Sequence, residues 1–150
     1  MTDIRSAVPA DAARIAAIEA SATEHPWSLD DVTGTLDTAS TRAWVTGEPV
    51  VGHVLFTVAG PCADVLTIAV HPDHRRRGHA RALLQHAHDA LHSTGVEEVF
   101  LEVRADNDGA IALYTAMAYE RVGLRRRYYR DGVDAVLMRR DIGGSAGAEP

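Results

Sequence analysis

The chain contains no lysine, and all fifteen of its basic residues are arginine. This absence excludes a Walker A phosphate-binding loop and Schiff-base chemistry, because both require a lysine side chain. The dinucleotide-binding pattern Gly-x-Gly-x-x-Gly is also missing, so a nicotinamide or flavin cofactor is not supported. The chain has a single cysteine, Cys62, which excludes a framework of intrachain disulfides.

The chain also lacks any hydrophobic run of transmembrane length, and no apolar signal segment follows Met1. We therefore expect a cytoplasmic protein without a membrane partner. The formal net charge of −6 disfavours general binding to nucleic acid. The length of 150 residues suits one domain, which we place at residues 1–142. Residues 143–150 are small, polar and rich in glycine, and we expect a disordered tail there.

Hydrophobic periodicity and turn residues predict the element order βααβββαβαββ. The predicted strands span residues 4–7, 41–46, 50–58, 62–70, 96–104, 119–129 and 135–140. The first predicted helix begins at Pro9, and the other three span residues 28–36, 78–94 and 107–117. This order predicts an α/β (mixed α+β) domain with one mixed sheet and helices on both of its faces. The long helical crossover between strands 62–70 and 96–104 favours parallel pairing of these two strands.

A strand, a basic turn and a helix follow one another between Leu66 and Leu84. The turn and the start of the helix comprise Arg75, Arg76, Arg77, Gly78, His79, Ala80 and Arg81. A helix N-terminus carries unpaired N–H groups and partial positive charge, and glycine lets a ligand approach the backbone closely. The segment therefore predicts a diphosphate site. A solvated basic turn without a ligand is the alternative interpretation.

The hexapeptide at residues 75–80 resembles the R/Q-x-x-G-x-G/A signature of the GNAT acetyltransferases, and the likeness extends over about residues 4–141. The resemblance implies a mostly antiparallel seven-stranded sheet with four helices. It also implies that the basic turn, together with Arg81, holds the pyrophosphate of acetyl-CoA, with no metal ion. The backbone of Ile68, Ala69 and Val70 would then pair with the pantetheine arm, on a strand that splays from its parallel neighbour to leave a wedge for the thioester.

Four further segments, at residues 25–28, 101–107, 110–114 and 125–129, resemble the RimI-type ribosomal-protein-alanine N-acetyltransferases. This resemblance implies a protein N-terminal α-amine as the acceptor, with the N-terminal alanine of ribosomal protein S18 as the specific candidate. The sequence departs from the family at His79, where an aliphatic residue is usual. Two alternatives stay open: an acetyltransferase of a small amine or a lysine side chain, and a non-catalytic sensor that binds acyl-CoA.

Glu102 is the candidate general base. Strand alternation places Glu102 and Arg104 on one face and Leu101 and Val103 on the other. The pattern alone favours a surface ion pair between Glu102 and Arg104, whereas the resemblance implies a general base. Acetyl transfer to an amine needs a general base, because deprotonation at pH 7 costs ~1.4 kcal/mol for a peptide α-amine and ~4.6 kcal/mol for a lysine. A carboxylate within reach of the amine can accept that proton.

Several other residues have a structural and an implied functional interpretation. Tyr114 lies on an apolar helical stripe, which favours core packing, whereas the resemblance implies an acid that protonates the leaving thiolate. Asn107 is expected to cap the following helix, and the resemblance adds a contact with the cofactor. Trp27, Tyr128 and Tyr129 are implied to border the acceptor pocket, with packing as the alternative.

His88 and His92 are four residues apart on a predicted helix, a spacing at which two side chains can share a metal ion. The glutamate of His-Glu-x-x-His is missing, and we expect residues 86–92 to form a solvated face instead. We therefore predict no metal.

Overall fold

The computed structural model describes residues 3–143 and contains eleven regular elements in the predicted order. The strands are β1 (Ile4–Ser6), β2 (Thr41–Thr46), β3 (Gly52–Ala59), β4 (Cys62–Val70), β5 (Glu98–Arg104), β6 (Glu120–Arg125) and β7 (Ala135–Asp141). The helices are α1 (Ala12–Ala22), α2 (Leu29–Leu36), α3 (His79–Ser93) and α4 (Asp108–Ala116). The predicted tail, except for its first residue, lies outside the described residues.

The seven strands form one sheet in the order β1-β2-β3-β4-β5-β7-β6. All neighbours are antiparallel except β4 and β5, which are joined by α3, so the predicted parallel pair is confirmed. That pair is short: residues 62–64 of β4 face residues 98–100 of β5, and no later residues of the two strands are paired.

The helices cover both faces of the sheet, as predicted. On one face α1 and α2 bury Ile15, Ile18 and Val32 against the sheet. On the other face α3 and α4 bury a larger cluster that includes Leu83 and Leu84. Each of these fully buried leucines contributes about 2 kcal/mol of hydrophobic stabilisation. Within residues 3–143, no helix is long and apolar enough to cross a membrane.

The prediction for β6 was wrong at its C-terminal end, because the strand stops at Arg125 instead of Tyr129. Arg127 has a positive φ of 51°, which is incompatible with an extended strand. Its N–H donates to Asp134 Oδ1 at 2.8 Å, which fixes the turn. Tyr128 and Tyr129 therefore lie in the β6–β7 connection.

His88 was wrongly placed on a solvated face, since it is only 2% exposed. Its Nε2 lies 2.7 Å from the Tyr119 hydroxyl, and its Nδ1 lies 3.1 Å from Arg140. The Arg140 guanidinium also donates to the Met117 carbonyl at the end of α4. His88 is therefore an internal link between α3 and β7. Among the described residues, no group of three or more potential ligands is arranged to hold a metal ion.

The burial of His88 predicts a pH-dependent stability. Burial, reinforced by Arg140, lowers the pKa of His88 to about 4, whereas an unfolded histidine titrates near 6.5. Protons then bind the unfolded chain preferentially, so stability present above pH 6.5 is lost as the pH falls towards 4. We expect the free energy of unfolding to fall by about 3 kcal/mol over this interval through His88.

Urea unfolding of the wild type and of His88→Gln at several pH values measures this loss. The His88→Gln variant should show a shallower decline, while His92→Gln, at an exposed position on the same helix, should keep the wild-type slope. Equal slopes in all three proteins would contradict the assignment.

Candidate active site

An opening in the middle of the sheet is the main feature of the site. Beyond Asp64, β4 pairs only with β3, and beyond Phe100, β5 pairs only with β7. A bulge accompanies the divergence: Phe56 pairs with Val65 and Leu55 with Thr67, so β4 carries one extra residue, Leu66. Bulges bend a strand and increase its twist, and this one turns the end of β4 away from β5.

Free backbone donors face this opening. The His71 N–H donates to the Val51 carbonyl beside β3 at 2.8 Å. Successive N–H groups of a strand point to opposite edges, so those of Val70 and Ile68 point away from β3 and into the opening. The edge of β4 can therefore bind an extended, amide-containing chain or a carbonyl oxygen.

The arginine turn lies at the far end of β4 and leads into α3. Gly78 caps the helix with a φ of +80°, and a Cβ added there would meet no protein atom within 4 Å, so the space in front of it is open. The first bonded N–H of the helix is that of Ala82, which donates to the Gly78 carbonyl. The N–H groups before it are the orphan donors that attract anions to a helix N-terminus.

Side chains of the turn anchor it to its surroundings. The Arg75 guanidinium donates to the Ala22 carbonyl at the end of α1. Arg77 Nη1 lies 3.2 Å from His74 Nδ1. The His79 ring packs edge-on against His74, and its burial, together with the nearby His74 and Arg77, lowers the pKa of His79.

A cavity of about 850 Å³ joins the opening to the turn. The predicted site residues that line it are Trp27, Ile68, Ala69, Val70, Arg75, Arg76, Gly78, His79, Ala80, Arg81, Asn107 and Tyr114. The structure therefore brings most of the predicted residues into one place. The predicted residues outside its lining are Arg77, Glu102, Tyr128 and Tyr129. As predicted, Asn107 caps α4, accepting a hydrogen bond from the Ala110 N–H.

Glu102 lies on β5 beyond the last parallel pair, on the face covered by α1 and α2. Its side chain is 32% exposed, and its Oε2 lies 2.5 Å from Arg125 Nε. The Glu102 carboxylate, through hydrogen bonding and its charge, raises the pKa of the nearby Tyr128. The Glu102–Arg104 ion pair, the alternative that the strand pattern alone favoured, does not form: Arg104 bonds Asp106 at 3.1 Å and Asp131 at 2.7 Å. Glu102 is thus a reachable carboxylate held by partners from the β6–β7 region.

Tyr129 is near the Glu102 carboxylate and near Tyr114, which lines the cavity. Burial raises the pKa of Tyr114 to about 12, and the nearby Tyr129 adds to the shift. The pKa of Tyr129 is raised mainly by burial and, to a lesser extent, by the charge of Glu102. Tyr114, only 7% exposed, packs in the core and lines the cavity at the same time. Its hydroxyl keeps its proton at neutral pH and is able to donate it.

Sequence reasoning missed a buried polar group at the cavity wall. Glu19, on α1, is 1% exposed and bonds His53 and Thr67. Its position four residues after Ile15 was the available signal, because that spacing places it on the buried stripe of the helix.

Comparison with known proteins agrees with this geometry. Residues 12–119 match the Acetyltransferase (GNAT) family. N-alpha-acetyltransferase RimI of Mycobacterium tuberculosis is 53% identical over 81 residues, which are 53% of this chain and 49% of that protein. The [Ribosomal protein bS18]-alanine N-acetyltransferase of Escherichia coli K12 is 47% identical over 79 residues, 51% of this chain and 53% of the relative. These matched segments span about half the length of each relative.

A solved structure extends the likeness over nearly the whole chain. The crystal structure of the ribosomal-protein-S18-alanine N-acetyltransferase from Escherichia coli superposes with a TM-score of 0.89 at 33% identity, covering 95% of this chain and 94% of that one. The family match includes the β4–β5 opening and the arginine turn. The chain belongs to the GNAT family of acetyltransferases.

Proposed function

We propose that the protein transfers the acetyl group of acetyl-CoA to the α-amine of a protein N-terminus, with the N-terminal alanine of ribosomal protein S18 as its acceptor. The β4–β5 opening carries this proposal, because it joins an anion-binding turn at one end to a reachable carboxylate near the other. Support for the acceptor comes from relatives that are named as S18-alanine N-acetyltransferases.

The donor fits along β4. The pyrophosphate of acetyl-CoA would lie at the N-terminus of α3, between Gly78 and Arg81, where orphan N–H groups and arginine charge favour an anion. The amide groups of the pantetheine arm match the free backbone donors of Ile68 and Val70. This path leaves the thioester in the opening between the two strands.

The transfer is a direct attack. Glu102 accepts a proton from the acceptor ammonium, and the nitrogen lone pair then forms a bond to the thioester carbonyl carbon. The oxygen that becomes negative is stabilised by a backbone N–H near Val70. The carbon–sulfur bond breaks as the carbonyl re-forms, and the Tyr114 hydroxyl gives its proton to the leaving thiolate. The nitrogen, positively charged after the attack, loses a second proton to solvent to become the amide, and Tyr114 regains a proton from solvent.

Two matched peptides test the acceptor class. One begins with a free alanine, and the other has the same sequence with a blocked N-terminus and an internal lysine. We expect acetyl-CoA consumption with the free N-terminus to exceed that with the blocked peptide by about 100-fold or more, because a lysine costs ~3 kcal/mol more to deprotonate. Preference for the blocked peptide would instead indicate a lysine acetyltransferase, and no turnover with any amine would indicate a sensor.

A further inference from the structure

The buried carboxylate of Glu19 organises one wall of the cavity. It accepts hydrogen bonds from Thr67 Oγ1 at 2.7 Å, from His53 Nε2 at 2.8 Å and from the Trp27 N–H at 3.3 Å. Burial opposes ionisation of Glu19, but the bonds from His53 and Thr67 outweigh it and leave its pKa below the usual value. Glu19 is therefore ionised at neutral pH and can only accept hydrogen bonds.

This charge state gives each bond a direction. His53 must carry its proton on Nε2, since Glu19 has none to give. The single hydroxyl proton of Thr67 is likewise committed to Glu19, so Oγ1 retains only lone pairs for any other partner. Thr67 is partly exposed and lines the cavity. Its oxygen therefore presents a hydrogen-bond acceptor to whatever occupies the cavity.

The strand register places Thr67 opposite Glu102. Because the bulge inserts Leu66, Thr67 lies two pairing positions along β3 beyond Asp64. Glu102 lies two residues beyond Phe100, the partner of Asp64. Both side chains are on the sheet face covered by α1, since Thr67 bonds Glu19 there and the alternate residues of β5 are in the opposite core. Thr67 and Glu102 thus flank the opening at the same level.

We propose that Thr67 Oγ1, oriented by Glu19, accepts a hydrogen bond from the acceptor amine, an inference that rests on the proposed function. An attacking amine must aim its lone pair at the carbonyl carbon, and its N–H groups then need hydrogen-bond acceptors within the site. Glu102 takes one proton. Thr67 Oγ1 accepts a hydrogen bond from a second N–H, which stays on the nitrogen in the amide product, and this bond fixes the direction of the lone pair. Glu19 is the positioning residue.

A matched pair of variants tests the role of the hydroxyl. Thr67→Val keeps the shape and removes the oxygen, whereas Thr67→Ser keeps the oxygen. We expect Thr67→Val to lower kcat/KM for an alanine-starting peptide about tenfold, the effect of one lost hydrogen bond. The Kd of acetyl-CoA, measured by calorimetry, should stay within about twofold, and Thr67→Ser should lie close to the wild type in both measurements.

Three results would overturn the inference. Thr67→Val could keep the wild-type kcat/KM, or it could lose acetyl-CoA affinity by the same factor as kcat/KM. The third is a Thr67→Ser variant that is as impaired as Thr67→Val. A wild type that acetylates no peptide would instead contradict the proposed function itself. If Thr67→Val does not fold, Thr67→Ala gives a second measurement, because it removes the hydroxyl without placing an extra methyl group beside the buried Glu19 carboxylate. Its kcat/KM should also fall about tenfold, while an undiminished value would overturn the inference.

Discussion

Replacing Glu102 by glutamine is expected to lower kcat/KM for an alanine-starting peptide by about 100- to 10,000-fold at pH 7, the range for loss of a general base. The substitution keeps the shape of the side chain and removes its capacity to accept a proton. Glu102 does not line the donor cavity, so the Kd of acetyl-CoA should stay at the wild-type value. Steady-state kinetics and calorimetry on the same preparation measure both quantities.

The pH dependence separates a missing base from a damaged fold. A peptide α-amine titrates near pH 8, so the variant should recover activity relative to the wild type as the pH is raised towards 9. Glu98→Gln is the matched control, since Glu98 lies on the same strand but pairs with Arg139 at the other end, and its turnover should be normal.

Tyr114→Phe should also depress turnover while acetyl-CoA binds. Full activity of Glu102→Gln at pH 7 would contradict the assignment.

Placing an aspartate at position 78 is expected to weaken acetyl-CoA binding by about 100-fold, because its side chain occupies the space in front of the helix N-terminus and its negative charge repels the pyrophosphate. The same substitution should cost only about 1 kcal/mol of stability. No protein atom obstructs a Cβ at Gly78, but its φ of +80° strains any side chain, and aspartate tolerates positive φ better than most residues. Calorimetric titration should therefore show a large loss of affinity, while thermal unfolding shows only a small loss of stability.

Gly78→Asn is the control for this variant. Asparagine has the same shape, the same tolerance of positive φ and the same capping preference, but it carries no charge. Its affinity for acetyl-CoA should be about tenfold higher than that of Gly78→Asp. If both variants bind acetyl-CoA like the wild type, the pyrophosphate does not lie at the start of α3.

Features that depend on local sequence were predictable. The element order follows from apolar periodicity and from turn residues, and the parallel strand pair follows from the length of the helical crossover. The arginine turn was recognised because its glycine, its arginines and the following helix are contiguous in the chain. Asn107 was identified as a helix cap for the same reason.

Features that depend on contacts between distant residues were not predictable. Glu102 pairs with Arg125 on β6, across the intervening strand β7, and Arg104 is held by Asp106 and Asp131. Alternation along one strand reveals neither arrangement. His88 is buried because Arg140 and Tyr119, far away in sequence, supply its partners. The Glu19–Thr67 bond joins a helix to a bulge whose position only the register shows.

The opening between β4 and β5 is proposed to deliver an acetyl group to a peptide α-amine. The most direct measurement uses one peptide with a free N-terminal alanine and an internal lysine, incubated with acetyl-CoA and the protein, and locates the acetyl group by tandem mass spectrometry. We predict that the acetyl group is on the N-terminal residue, that the lysine is unmodified, and that Glu102→Gln gives neither product at pH 7. Acetylation of the lysine in preference to the N-terminus would contradict the account.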